Sequence, residues 1–266
     1  MARVSMATIG EFRAVNWQAH KMGPSSGKDA FVEFEKSEQE REVVSEALCY
    51  LQNMNVLQAT AYDEDLFFKF CSSVHENFLI PWTGISPRMR RAIYGINACF
   101  RPEQLVCAGV FCGYTFICNA GAGIGPGACY EVGSSIGIEI LPIEAERARS
   151  NVERFAPGFG NSIVCEDASN WLNDGDYSID LLYIDAKSID FDPMTARERP
   201  EDRSSVYLSI VQAAIRRLRP GSLVLAHNSV NAAQEISDYL EFVRGPEFKT
   251  SINLIIDDAG LEVSVR

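Results

Sequence analysis

Short apolar runs that alternate with amphipathic stretches constrain the fold of residues 101–266 more than any other feature. Five runs have the length and composition of strands: Leu105–Ala108, Ile136–Ile140, Ser162–Cys165, Ile179–Ile184 and Ser222–Ala226. The stretches between them predict helices that begin at Thr115, Pro142, Tyr207 and Asn231. Since parallel strands need helical crossovers, this alternation predicts an α/β fold with a mainly parallel sheet covered on both faces. The tail SINLIIDDAGLEVSVR predicts a C-terminal β-hairpin around Asp258-Ala259-Gly260, which brings the predicted sheet to seven strands.

The N-terminal part of the chain divides into two segments. Residues 1–35 show no clear periodicity and are predicted to be an arm that is disordered in part. A capping box at Ser37 and Glu40 opens an amphipathic helix, and further helix is predicted within 65–75 and 87–99. We therefore expect residues 36–100 to form a helical extension ahead of the α/β domain at 101–266.

The composition argues against several classes of protein. The 24 Lys and Arg residues against 36 Asp and Glu give a formal net charge of −12, whereas nonspecific nucleic-acid binding needs a basic footprint. Eight cysteines without a C-x-x-C pair, and only three histidines, argue against a structural zinc site. The uncharged stretch 104–130 contains six glycines and Pro126, which makes it a poor membrane helix. With no apolar signal segment, a cytoplasmic protein with reduced thiols and no membrane partner is expected.

Two glycine motifs within 119–140 suggest other kinds of enzyme. Gly121-Ala-Gly-Ile-Gly125, with Glu139 after it, is compatible with the dinucleotide loop of a nicotinamide-dependent oxidoreductase. Gly133-Ser-Ser-Ile-Gly137 fits the nucleophile elbow of a serine hydrolase, and Ser135, Asp185 and His227 follow one another in a suitable order. However, no helix pattern follows Gly125, and Ser135 precedes a strand instead of following one. Both enzyme classes stay as alternatives, and a connecting loop is the favoured interpretation.

A stronger candidate for a cofactor loop lies upstream, in the segment LVCAGVFCGYT. A predicted strand is followed there by Gly109 and Gly113, and then by a short helix. Glycines at such a turn let the backbone approach a ligand closely. Acidic residues also recur at the carboxyl ends of the next three strands, namely Glu139, Asp167 and Asp185. Ligands of open parallel sheets bind at those strand ends. The glycine loop and the three acidic residues together therefore predict a binding site.

These segments resemble the class I S-adenosylmethionine-dependent methyltransferases, in particular the catechol O-methyltransferase-like branch. The resemblance covers roughly residues 85–266 and lies in the order and spacing of AGVFCGYT, IGIEILPIEAERARSN, EDA, IDLLYIDA, PGSLVLAHN and YLEFVRGPEF. It implies a Rossmann-like fold and S-adenosyl-L-methionine as the cofactor. Gly109, Phe111 and Gly113 would line the methionine part, and Thr115 would lie near its carboxylate. Glu139 would bind the ribose hydroxyls, Asp167 and Ala168 would meet the adenine, and Asp185 would lie beside the reacting methyl group.

The chain departs from this family at two positions of chemical importance. Cys107 stands where an acid usually holds the amine of the cofactor, and His227-Asn228 replaces the Asp-Asn pair of the cation-dependent members. An imidazole in place of a carboxylate makes a poor magnesium site, although zinc or iron stays open as an alternative. We therefore expect no metal, with Asp185, His227 and Asn228 as the catalytic set and His227 as the group that deprotonates or orients the acceptor.

The resemblance predicts a small-molecule acceptor, with O-methylation favoured and N- or C-methylation open. The polar segment Ser188–Ser205 is an insertion, which is either a surface loop or a lid over the acceptor. The helical extension at 36–100 is expected to cover the acceptor site, and it could also pair two subunits as a homodimer. Aromatic and apolar residues of that extension are candidates for the pocket wall or for the core: Phe78, Trp82, Met89 and Tyr94.

Overall fold

The computed structural model describes residues 7–19, 37–81, 85–175, 177–187 and 204–266. Trp82 and all but the last two residues of the predicted insertion Ser188–Ser205 lie outside these ranges. The described strands are β1 (Thr8–Arg13), β2 (Gln104–Ala108), β3 (Ser134–Glu139), β4 (Ile163–Cys165), β5 (Ile179–Ile184), β6 (Leu218–His227), β7 (Thr250–Ile255) and β8 (Leu261–Val265). The described helices are α1 (Ser37–Asn53), α2 (Glu64–Asn77), α3 (Pro87–Phe100), α4 (Tyr114–Ala120), α5 (Pro142–Phe155), α6 (Ala168–Asn173), α7 (Val206–Ala214) and α8 (Ser237–Val243).

The strands form one sheet in the order β1-β7-β8-β6-β5-β2-β3-β4. Strand β8 runs antiparallel to β6 and β7, and the other neighbouring pairs are parallel. The prediction of a mainly parallel, Rossmann-like α/β sheet with a C-terminal hairpin is therefore confirmed. From β2 the chain builds outward to β3 and β4, and it then returns to place β5 on the other side of β2. In sheets with such a reversal, ligands bind outside the carboxyl ends of the two strands where the order reverses, which are β2 and β5 here.

The count of seven strands was wrong by one, because the N-terminal segment contributes an eighth strand. Strand β1 lies parallel to β7, with Thr8 opposite Thr250 and Arg13 opposite Ile255. Its inner face packs Phe12 against the ring of Tyr50 on α1, with ring centroids 5.8 Å apart. An edge strand buries little on its own, so it leaves only a weak periodic pattern in the sequence.

Three element boundaries also differ from the prediction. Helix α7 ends at Ala214, and β6 already begins at Leu218, so Pro220 and Gly221 lie within the strand. The register of β5 and β6 shifts between Ile179 and Leu181, which accommodates this proline-containing start. Helix α8 begins at Ser237, several residues after the predicted start at Asn231.

The two faces of the sheet are covered by different helices. One apolar core unites side chains of α1–α5 with one face of the sheet, and it contains Val44, Leu48, Phe67, Phe70, Tyr183, Leu225 and Ile252. The second core lies between the other face and α6–α8. The helical residues 37–100 therefore share one continuous interior with the sheet. In the described part of the chain, no helix combines the length and the apolar character that a membrane span requires.

Candidate functional site

The residues predicted to bind and react converge at the carboxyl edge of the sheet. Glu139 is the last residue of β3, and His227 is the last residue of β6. Gly109 and Asp185 follow directly on β2 and β5, which are neighbours in the sheet. Because parallel strands end at the same edge, the alternating pattern of the sequence is sufficient to bring these four positions together.

The loop after β2 needs its glycines to lie close to neighbouring backbone. Gly109, Phe111 and Gly113 all have positive φ, at 80°, 50° and 88°. A Cβ atom on Gly109 would lie 2.3 Å from the carbonyl oxygen of Asp185, and one on Gly113 would lie 3.1 Å from the Cα of Ala148 on α5. The glycines therefore let the loop pack against the end of β5 and against α5. Thr115 is buried in the first turn of α4, directly after this loop.

Glu139 ties the glycine loop to the end of β3. Its side chain is buried, with 7% of the residue exposed. One carboxylate oxygen accepts the backbone N–H of Phe111 at 2.7 Å, and the other accepts that of Leu141 at 3.0 Å. Each carboxylate oxygen has a second lone pair, so the group retains the capacity to accept two more hydrogen bonds from a ligand.

The neighbouring strand end places Asp167 and Ala168 beside Glu139. The backbone N–H of Glu166 donates to the carbonyl oxygen of Glu139 at 3.1 Å, which holds the ends of β3 and β4 together. Asp167 is half-buried and caps α6 by accepting the N–H of Asn170 at 3.0 Å. Its other carboxylate oxygen is not needed for this cap, so the predicted adenine contact is compatible with the geometry.

Cys107 lies on β2, two residues before Gly109, and it is fully buried. Burial raises the pKa of its thiol well above the ordinary value of 9.0, and the nearby Cys118 raises it further. The thiol is therefore neutral at physiological pH, so this position offers no negative charge to an amine.

Asp185, Asn228 and His227 form a connected cluster at the ends of β5 and β6. One oxygen of Asp185 accepts the side-chain amide of Asn228 at 2.9 Å, and the other lies 3.4 Å from Nδ1 of His227. Asn228 has a φ of 66°, a conformation that asparagine tolerates better than most residues and that turns the chain after β6. The Oη atom of Tyr207 lies 3.4 Å from the same Asn228 amide. Sequence reasoning missed Tyr207, because no local pattern links the start of α7 to the end of β6.

The electrostatic environment of His227 favours its protonated form. Burial of the imidazole lowers its pKa, since only 2% of the residue is exposed. The negative charge of Asp185 and, at longer range, those of Asp257 and Asp258 act in the opposite direction and outweigh burial. The net effect raises the pKa of His227 above 6.5. The neutral imidazole is therefore a stronger base here than a histidine free in water.

The alternative hydrolase triad is not assembled. Ser135 lies opposite Leu105, which in turn lies opposite Leu181. Asp185 is four residues further along the chain, which corresponds to about 13 Å at the rise of a strand. The serine is therefore at the wrong end of the sheet. The glycine-rich stretch after α4 is a connecting segment, as favoured from the sequence, and a Cβ atom on Gly121 or Gly127 would meet Phe70 of α2 at 2.6 or 2.5 Å.

The candidate pocket-wall residues that the structure describes belong to the apolar core. Phe78, Met89 and Tyr94 are all buried in the core that joins the helical layer to the sheet. The hydroxyl of Tyr94 donates to the carbonyl oxygen of Gly127 at 2.6 Å. In the part of the chain that the structure describes, no cluster of three or more His, Cys, Asp or Glu side chains is arranged to hold a metal ion.

Solved structures of methyltransferases share this fold. An O-methyltransferase from Bacillus cereus, in complex with SAH, is 16% identical with a TM-score of 0.52, and the match covers 85% of this chain and 99% of that one. The SAH-bound Podospora anserina methyltransferase PaMTH1 is 11% identical with a TM-score of 0.52, over 88% and 99% of the two chains. TomG, a Streptomyces achromogenes O-methyltransferase in complex with SAM, is 18% identical with a TM-score of 0.50, over 85% and 98%. No protein-family model and no curated relative matches the sequence.

Proposed function

We propose that this chain, whose fold is that of the S-adenosylmethionine-dependent O-methyltransferases, transfers a methyl group from S-adenosylmethionine to a small molecule. The observation that carries the proposal is the convergence of two groups of residues on the carboxyl edge of the sheet. The glycine loop and Glu139 follow β2 and β3, and the cluster of Asp185, His227 and Asn228 follows the neighbouring strands β5 and β6. A cofactor bound by the first group would present its methyl group to the second.

The residues at the strand ends fit the chemistry of this cofactor. Its ribose offers two hydroxyl donors, and the Glu139 carboxylate has two lone pairs left to accept them. Gly109, Phe111, Gly113 and Thr115 would hold the methionine part, and Asp167 with Ala168 would meet the adenine. The cofactor supplies an electrophilic methyl group on a sulfonium cation, which the negative charge of Asp185 would attract. Neutral Cys107 would leave the amine of the cofactor without its usual carboxylate.

His227 is the group that we propose removes or holds the acceptor's proton. In its neutral form the imidazole can accept a proton from a hydroxyl or amine as the acceptor attacks the methyl group. Asp185, 3.4 Å from Nδ1, would stabilise the imidazolium that results. Asn228 would hold the Asp185 carboxylate in place through its amide. Since methyl transfer is an in-line displacement, the remaining task of the chain is to align the reactants and exclude water.

Several features of the chain support a small-molecule acceptor and a reaction without a metal. The donor set at the ends of β5 and β6 consists of one carboxylate, one imidazole and one amide, which is a poor shell for magnesium. The net charge of −12 is unfavourable for a nucleic-acid acceptor. All eight cysteines are free, which favours a reducing, cytoplasmic compartment.

We also propose that residues 36–100 cover the acceptor side and that two subunits pair through them.

Isothermal titration calorimetry with S-adenosylhomocysteine and with NAD tests this proposal directly. We expect saturable binding of S-adenosylhomocysteine and none of NAD. Transfer of a labelled methyl group to members of a metabolite library would then identify the acceptor, and the rate should be the same with and without EDTA. Binding of NAD without binding of S-adenosylhomocysteine would contradict the proposed function. Activity that EDTA abolishes and a divalent cation restores would contradict only the metal-independent mechanism.

A further inference from the structure

We infer that Tyr207 is a positioning residue of the methyl-transfer site, which holds the Asn228 amide so that its oxygen is left for the acceptor. This inference rests on the proposed function, because it assigns the acceptor to the side of the cluster formed by Asp185, His227 and Asn228. It also narrows the acceptor to molecules that carry an O–H or N–H donor at or beside the atom that is methylated.

The orientation of the Asn228 amide follows from the chemistry of its neighbours. The amide nitrogen lies 2.9 Å from a carboxylate oxygen of Asp185 and 3.4 Å from the hydroxyl oxygen of Tyr207. An ionised carboxylate can only accept hydrogen bonds, so the nitrogen of the amide and not its oxygen must face Asp185. A primary amide has two N–H groups, and these two contacts use both. The amide oxygen makes no hydrogen bond to Asp185 or to Tyr207.

The hydroxyl of Tyr207 is held in place by the start of α7. Ser205 caps the helix by accepting the N–H of Leu208 at 3.1 Å, and its own N–H donates to Asp238 at 2.7 Å. Tyr207 itself is 5% exposed, and its ring packs edge-on against Tyr239 with centroids 5.7 Å apart. Burial raises the pKa of Tyr207 well above 10.0, and the charge of Asp185 raises it further. The side chain therefore stays a neutral phenol that can accept from Asn228.

This contact controls how the charge of Asp185 is shared. One oxygen of Asp185 accepts from Asn228, and the other lies beside Nδ1 of His227. Without the Tyr207 hydroxyl, the amide can rotate, and its bond to Asp185 weakens. More of the carboxylate charge then acts on the imidazole. The other charged groups that act on His227 are Asp257 and Asp258 in the turn between β7 and β8, and they do not depend on Tyr207.

The test compares Tyr207→Phe with Tyr239→Phe, which removes the same hydroxyl from the ring packed against it. Among the described residues, the Tyr239 hydroxyl makes no bond to Asn228, so it is a matched control. The chain has three histidines, so the titration of each imidazole can be followed by NMR and His227 assigned with His227→Gln. We expect the pKa of His227 to rise by about half a unit in Tyr207→Phe and to stay unchanged in Tyr239→Phe.

Kinetics provide the second readout. We expect Tyr207→Phe to lower kcat/KM for the acceptor about tenfold while the Kd for S-adenosylhomocysteine stays within a factor of two. Because Tyr207 acts through Asn228, the double variant Tyr207→Phe/Asn228→Ala should be no slower than Asn228→Ala alone. Tyr207→Phe that titrates and turns over like Tyr239→Phe would overturn the inference and leave the proposed function intact. If the protein does not bind S-adenosylhomocysteine, the proposed function fails, and the titration alone decides whether Tyr207 acts on the cluster.

Discussion

The carboxylate of Glu139 has several hydrogen-bonding roles at the end of β3. It already accepts two backbone N–H groups, from Phe111 and Leu141, and we propose that it also accepts two ribose hydroxyls. Glu139→Ala should weaken S-adenosylhomocysteine binding by about 2–5 kcal/mol, because buried hydrogen bonds to a charged group are lost. Calorimetry measures this change. Ser135→Ala is the control at the opposite end of β3 and should bind normally, and the reverse ranking of the two variants would show that the loop is assigned wrongly.

The protonation state of His227 should make the activity depend on pH. If its neutral imidazole is the base, activity should rise with pH through a pKa that lies above 6.5, since Asp185 stabilises the protonated form. His227→Ala should lower kcat by about 10²- to 10⁴-fold with little change in cofactor affinity, and it should remove this limb of the pH–rate profile. A profile whose limb persists in His227→Ala would assign the proton transfer to another group.

The same raised pKa has a consequence for stability with a definite sign. The imidazole holds its proton more tightly in the folded than in the unfolded chain, so its protonation stabilises the fold. This contribution is fully present below about pH 6.5, the unfolded value, and is lost as pH rises through the folded pKa. Denaturant unfolding of the native protein and of His227→Gln across this range should show a stability difference that shrinks as pH increases.

At the scale of elements, the glycine loop depends on its close approach to β5. Gly109→Ala places a Cβ atom 2.3 Å from the carbonyl oxygen of Asp185, whereas Gly221, with a φ of 94°, has no atom within 4 Å of the added Cβ. Gly221→Ala should therefore cost only the left-handed strain of about 1–2 kcal/mol. Gly109→Ala should cost more and should also abolish S-adenosylhomocysteine binding. Thermal unfolding of both variants measures the loss of stability, and calorimetry measures the loss of S-adenosylhomocysteine binding. Equal stabilities of the two variants would show that the close approach of Gly109 to β5 does not limit which residue can stand there.

At the scale of the whole molecule, we expect the helical layer and the sheet to unfold as one cooperative unit. Arg91 on α3 is buried and its Nε lies 2.6 Å from a carboxylate oxygen of Glu40 on α1, while its guanidinium also stacks on Phe67 of α2. These helices share their apolar core with the sheet. A fragment that begins at Ile85 should therefore lose cooperative thermal unfolding altogether, because it exposes that core to water. A fragment that unfolds as sharply as the whole chain would show that the extension is an independent unit.

Local patterns in the sequence were sufficient for much of this fold. The bounds of β5 (Ile179–Ile184) and of α5 (Pro142–Phe155) agree with the prediction, because an apolar run between turn residues and a proline at a helix start act over a few neighbouring residues. The acids at the strand ends were also predictable. Once the strands are parallel, their carboxyl ends must meet at one edge.

The partners of these elements depend on contacts between distant parts of the chain. Strand β1 exists because β7 offers it a ladder of hydrogen bonds, and β6 continues through Pro220 because its register with β5 can shift. Tyr207 meets Asn228 across a separation of 21 residues, and Tyr94 packs in the core and not at the site. Such pairings depend on which surfaces remain to be buried after the sheet has formed. Local patterns therefore set the periods of the elements and the residue types at the strand ends, and long-range packing set which side chains touch.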